Sequence, residues 1–177
     1  EAGDPLTLYC ATNENDEARY VATKIMDDFG HGMNFRDHAV LYRMNGSPSV
    51  SGKTPFTDVR TDEWYSAAVL WAYQNGIVTG MSDTTFAPIN NVTREQMATI
   101  LFRYTKTAAP DKAKASADLS GFADAGSVND WAVDAMRWAV GQKLIAGITL
   151  EQSVYLQPRG NATRAQAATV LTRYYAQ

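Results

Sequence analysis

Thr93-Arg94-Glu95-Gln96-Met97-Ala98 returns 70 residues later as Thr163-Arg164-Ala165-Gln166-Ala167-Ala168. In both copies Thr-x-x-Gln has the form of a capping box, the hydroxyl bonding forward to the third helical amide and the side-chain amide reaching back. Behind it Met97, Ile100, Leu101 and Tyr104, and again Ala167, Val170, Leu171 and Tyr174, share one side of a helix. Outward from these runs the match continues. Phe86 and Pro88 meet Leu156 and Pro158 at the same offset. Further back the offset is 67: Trp64, Ala68, Trp71, Ile77, Val78 and Gly80 answer Trp131, Ala135, Trp138, Leu144, Ile145 and Gly147. Phe56-Thr57-Asp58 answers Phe122-Ala123-Asp124. Such repetition decides architecture before any single residue does, and two copies of a surface-presenting module point to binding rather than catalysis.

Each copy reads as helix, ordered loop, helix. In the first, Thr61-Asp62-Glu63 offers an N-cap and an acidic start, and Trp64, Ala68, Trp71 and Ala72 form one helical stripe. Gly76 stands where a left-handed C-terminal residue belongs. Lys143 holds the matching place, so the second helix is expected to close differently. The following loop is pinned to the core by Phe86 or Leu156. Neither copy buries its stripe alone, so the copies are expected to pack together. The expected fold is mainly α: two helix-loop-helix repeats (55–107 and 119–177) joined by a linker at 108–118, preceded by a small strand-helix-strand unit at 1–46 and a linker at 47–54.

Phe-x-Asp, the first-helix tryptophan, Gly-Ile-Val-Thr-Gly, Phe-x-Pro and Thr-Arg-Glu-Gln together resemble the S-layer homology module, over about two thirds of the chain. In the second copy Thr-Arg-Ala-Gln stands where that family usually has Thr-Arg-Ala-Glu. The resemblance implies non-covalent attachment to the bacterial cell wall through secondary cell-wall polysaccharide, often carrying a pyruvate ketal, or through peptidoglycan. It implies an extracellular place on the bacterial surface. It also implies that three modules commonly form a pseudo-threefold bundle with ligand grooves between neighbours, whereas two are counted here.

The candidate ligand residues follow. Arg94 and Arg164 each sit just after a helix N-cap, where a guanidinium grips a carboxylate and the helix start also favours an anion. Trp64 and Trp131 offer flat apolar surface to a sugar ring. Gly80 and Gly147 let a ligand approach the backbone, and Asp58 and Asp124 accept sugar hydroxyls. Each has a plainer alternative: core tryptophans, arginines paired with nearby acids, aspartates capping turns, glycines serving turns.

Residues 1–46 lie outside the repeat. Pro5–Tyr9 reads as a strand, Asn13–Ile25 as a helix and Phe35–Arg43 as a second strand. Asn-Glu-Asn-Asp-Glu-Ala-Arg-Tyr-Val-Ala and Phe-Arg-Asp-His-Ala-Val-Leu-Tyr-Arg-Met-Asn resemble a piece of the superfamily 1 DNA helicases of the UvrD/PcrA type. A working helicase is excluded: Ser51-Gly52-Lys53-Thr54 echoes the tail of a phosphate-binding loop, but Ser47 stands where its first glycine belongs. The segment sets four basic against eight acidic side chains, a poor surface for DNA. It is read as a fragment fused upstream, covering the face a third module would fill unless the chain pairs with itself there.

The remaining composition bounds the function. Apolar residues make up 45%, ordinary for a globular chain, and the net charge of −3 argues against a broad phosphate-binding surface. The single Cys10 excludes an intramolecular disulfide, and neither His31 nor His38 has a partner at metal-ligand spacing. No cofactor, metal or catalytic constellation is expected, and no apolar run approaches the ~20 residues of a membrane span. Glu1-Ala2-Gly3 opens without a signal region, as in a mature or trimmed chain. The leading reading is a wall-binding module, not an enzyme. The alternative is a protein-protein or host-receptor interaction module on the same scaffold, with a nucleic-acid accessory factor a distant third.

Overall fold

The computed structural model describes residues 50–114 and 117–176; the strand-helix-strand unit expected at 1–46 lies outside them. Among the described residues four helices carry the architecture: α1 Ser66–Gln74, α2 Arg94–Ala108, α3 Val133–Gly141 and α4 Arg164–Tyr175. Short 3-10 turns occupy Pro110–Lys114, Ala125–Ser127 and Asp130–Ala132. The two copies are thus α1-loop-α2 and α3-loop-α4, mainly helical as expected. Both capping boxes form: Thr93 and Thr163 accept from the amides of Gln96 and Gln166, whose side chains return the bond.

The copies interlock instead of lying side by side. α2 of the first packs on α3 of the second, and one core draws on both. Ala98, Leu101 and Phe102 meet Ala135, Met136, Trp138, Ala139, Leu144, Leu156 and Val170 there. Phe102 and Trp138 lie 5.4 Å apart between ring centroids. A smaller cluster of Phe56, Val59 and Val69, with Tyr65 and Phe86 against it, belongs to the first copy alone.

Three local expectations change. α1 begins at Ser66, with Tyr65 in the cap position and no side-chain cap, so Thr61 does not start it and Trp64 precedes its stripe. Lys143 takes the left-handed conformation itself, φ +57°, beside φ +67° at Gly76. The second helix therefore closes as the first does: Leu144 and Ile145 donate to Ala139 O as Ile77 and Val78 donate to Ala72 O. Finally, the three extra residues of the second loop build a hairpin. β1 Ile148–Leu150 pairs antiparallel with β2 Ser153–Tyr155, in the register Ile148↔Tyr155, Thr149↔Val154 and Leu150↔Ser153.

Candidate functional site

The start of α2 joins the two copies. A helix begins with amides that have no partner within it, and here the second copy supplies them. Arg94 N–H donates to Gly160 O at 2.9 Å and Glu95 N–H to Pro158 O at 3.0 Å, while Ala162 N–H donates to Val92 O at 2.9 Å. The Arg94 side chain follows the same path: Nε donates to Leu156 O at 2.7 Å and Nη2 to Ala146 O at 3.1 Å. Burial pushes its guanidinium below the ordinary arginine value, and the Asp124 carboxylate opposes that. Glu95, 2% exposed, accepts from Asn129 N–H and from Asn129 Nδ2. Arg94 and Glu95 are thus a two-pronged plug set into the loops of the neighbouring copy.

Both arginines of the expected clamp are withdrawn from solvent. Arg94, at 5% exposure, is committed to backbone carbonyls and holds the repeats together. Arg164 is half-buried, with Nε and Nη2 shut away from solvent. Neither guanidinium lies fully open to solvent.

The aspartates work inside their own copies. Asp58 accepts Phe86 N–H at 2.9 Å and Ala87 N–H at 2.7 Å; Asp124 accepts Leu156 N–H and Gln157 N–H, both at 2.7 Å. They clamp a strained corner, since Ala87 and Gln157 have φ of +60° and +49°. The glycines make room for the first residue of Phe-x-Asp: a Cβ on Gly80 would lie 2.5 Å from Phe56, and one on Gly147 2.8 Å from Phe122. Phe, Asp and Gly therefore form one loop-fastening unit in each copy. Asp58, Asp124, Gly80 and Gly147 thus each have a structural duty within their own copy.

The tryptophans are exposed, Trp64 at 55% and Trp131 at 52%, so they are not core residues. Trp131 lies two residues beyond Asn129, which belongs to the junction. There Arg159, exposed, donates from Nη2 to Asn129 Oδ1 at 3.1 Å. Asn129 thus donates to buried Glu95 and accepts from outward-lying Arg159. Sequence reasoning passed over Arg159, Asn129 and Glu95 because it looked for what the copies share. Their signal was where the copies differ: Arg159 stands against Ile89, Asn129 against Asp62 and Glu95 against Ala165. Among the described residues no cluster of metal-binding side chains occurs, and no helix is long and apolar enough to cross a membrane.

Residues 55–98 and 121–168 match the S-layer homology domain. The surface-layer 125 kDa protein of Lysinibacillus sphaericus is 35% identical over 122 residues, 69% of this chain and 10% of that protein. An endoglucanase of Bacillus sp. (strain KSM-635) is 33% identical over 133 residues, 75% of this chain and 14% of the enzyme. DNA helicase II of Haemophilus influenzae is 50% identical over 50 residues, 28% of this chain and 7% of the helicase. The chain therefore spans about a tenth of the length of the surface-layer relative. No solved structure matches.

Proposed function

The chain belongs to the S-layer homology family, a cell-surface anchoring module, and from that premise we propose that it is a non-catalytic anchor binding secondary cell-wall polysaccharide with a pyruvate ketal, or peptidoglycan. On this reading it works outside the cell, on the bacterial surface. The observation that carries the proposal is the exposed guanidinium of Arg159 on Asn129, with half-exposed Trp131 two residues further along the chain. A ketal carboxylate finds a paired donor in such a guanidinium, and the adjoining sugar ring finds an apolar face in the indole. Arg94 and Asp124 contribute indirectly, by fixing the loops that hold Arg159 and Asn129.

Calorimetric titration with pyruvylated wall saccharide tests this. Arg159→Ala is expected to weaken binding by about 10- to 100-fold, the cost of one charge-assisted contact, while thermal unfolding stays unchanged. Trp131→Ala is expected to weaken it as well. Wild-type protein that binds neither this saccharide nor purified peptidoglycan would refute the anchor, and binding indifferent to both substitutions would move the site off the junction. The second reading, a protein interaction module, is favoured by Ile89 and Met81 on the first loop, 90% and 63% exposed.

A further inference from the structure

The first turn of α2 does more than join the copies: it fixes Arg159 from three directions. Arg159 stands in the second loop between Pro158 and Gly160. Pro158 O accepts Glu95 N–H at 3.0 Å, and Gly160 O accepts Arg94 N–H at 2.9 Å. Both chain neighbours of Arg159 are therefore tied to the start of α2. Pro158 is buried as well, and its ring fixes φ. The backbone that presents this guanidinium belongs to the second copy, yet the first copy holds it in place.

The third direction runs through side chains. The buried Glu95 carboxylate takes Asn129 N–H on Oε2 and Asn129 Nδ2 on Oε1. A carboxylate accepts hydrogen bonds and a guanidinium only donates them. The amide between them has a single arrangement that serves both: Nδ2 toward Glu95 and Oδ1 toward Arg159, whose Nη2 donates to it at 3.1 Å. Opposite charges at the two ends polarise that amide in the same sense and strengthen both bonds. Since the bridge is neutral, it leaves the charge of Arg159 uncancelled. The first copy shows the contrast. Asp62, in the place of Asn129, takes both Nε and Nη2 of Arg60, at 3.0 and 2.7 Å, and so fills the fork that would otherwise receive an anion. Among the described residues the bond to Asn129 is the one hydrogen bond of the Arg159 side chain, and the rest of its fork stays available.

We propose that Glu95 is a positioning residue for the carboxylate-binding guanidinium: from the first copy it locks the Asn129 amide, and through it aims Arg159 of the second. This rests on the reading of Arg159 given above and adds that its site is composite, complete only where the two copies meet. α4 carries Ala165 in the place of Glu95, so its own first turn lacks the device.

Two measurements on the full chain test it. Glu95→Gln keeps the side-chain shape, but a carboxamide has one oxygen for two Asn129 donors and turns a donor of its own toward the second. The Asn129 amide then reverses, and Nδ2 meets Arg159 donor against donor. Nitrogen-15 NMR of the ligand-free protein is expected to show slow guanidinium rotation at Arg159 in the wild type and averaged signals in Glu95→Gln, with Arg60 unchanged. Glu95→Ala, which gives α2 the residue that α4 carries, is measured beside it and is expected to free Arg159 likewise. In calorimetry with pyruvylated wall saccharide, Glu95→Gln is expected to weaken binding by about tenfold. Combined with Arg159→Ala it should cost nothing beyond Arg159→Ala alone, because Glu95 acts through that arginine. An Arg159 guanidinium equally mobile in the wild type and both variants, or a loss that adds to that of Arg159→Ala, would overturn the proposal. Arg159 held in the wild type and freed in the variants, with no saccharide bound by any of them, would refute the wall-anchor reading while upholding the hold of Glu95 on Arg159.

Discussion

Lys143 does a glycine's work at a cost. A left-handed conformation burdens a side-chain-bearing residue by roughly 1–2 kcal/mol, part of which glycine returns through its greater freedom in the unfolded chain. Since Lys143 closes α3 with the bonds that Gly76 uses at α1, Lys143→Gly is expected to stabilise the protein by about 0.5–1 kcal/mol, and Gly76→Lys to destabilise it by a similar amount. Urea unfolding reads both, and a Lys143→Gly variant less stable than wild type would deny the strain. Asp58 yields a pH prediction. The Phe86 amide, helped by that of Ala87, holds its carboxyl below the ordinary aspartate value. A depressed folded-state pKa means that the clamp's contribution is complete above the unfolded value, about 3.9, and is lost as pH falls through the lower, folded one. Carbon-13 NMR titration should place the Asp58 midpoint below that value, and Asp58→Asn should remove the corresponding acid sensitivity of the first loop.

Among the elements, α2 carries the most consequence, because its first turn is the joint between the repeats. Removing the Arg94 side chain leaves Leu156 O and Ala146 O without their donors next to a fully buried leucine. Arg94→Ala is therefore expected to cost about 2–4 kcal/mol, the usual penalty for orphaned buried polar groups. Arg94→Lys recovers only part, since an ammonium lacks the guanidinium fork that reaches two carbonyls at once. Thermal unfolding measures the loss; an Arg94→Ala protein as stable as wild type would mean that the arginine holds nothing. The helices themselves were legible in the sequence, because a capping box and an apolar stripe are local signals that the structure keeps. What escaped was non-local. Nothing near Arg94 says that its side chain crosses into another copy, and nothing near Lys143 says that tertiary packing enforces a left-handed residue. The three-residue insertion was visible between Gly147 and Leu156, but as a change of offset it gave no hint of pairing. Trp64 and Trp131 could be named as candidate surface residues; that they precede the α-helices required the backbone.

Over the molecule as a whole, stability is unevenly shared. The large core takes Ala98, Leu101 and Phe102 from the first copy and Trp138, Leu144, Leu156 and Val170 from the second, so α2 and α3 lose their packing together. α1 is tied instead to the small Phe56, Val59 and Val69 cluster, with Trp71 and Ala72 partly open to solvent. Segments with fewer buried apolar contacts open locally at a lower free energy than the whole. Native-state hydrogen exchange is therefore expected to show the amides of α1 exchanging well before those of α2 and α3, although α1 and α3 are sequence equivalents of the same length. Protection of α1 equal to that of α3 would refute this division.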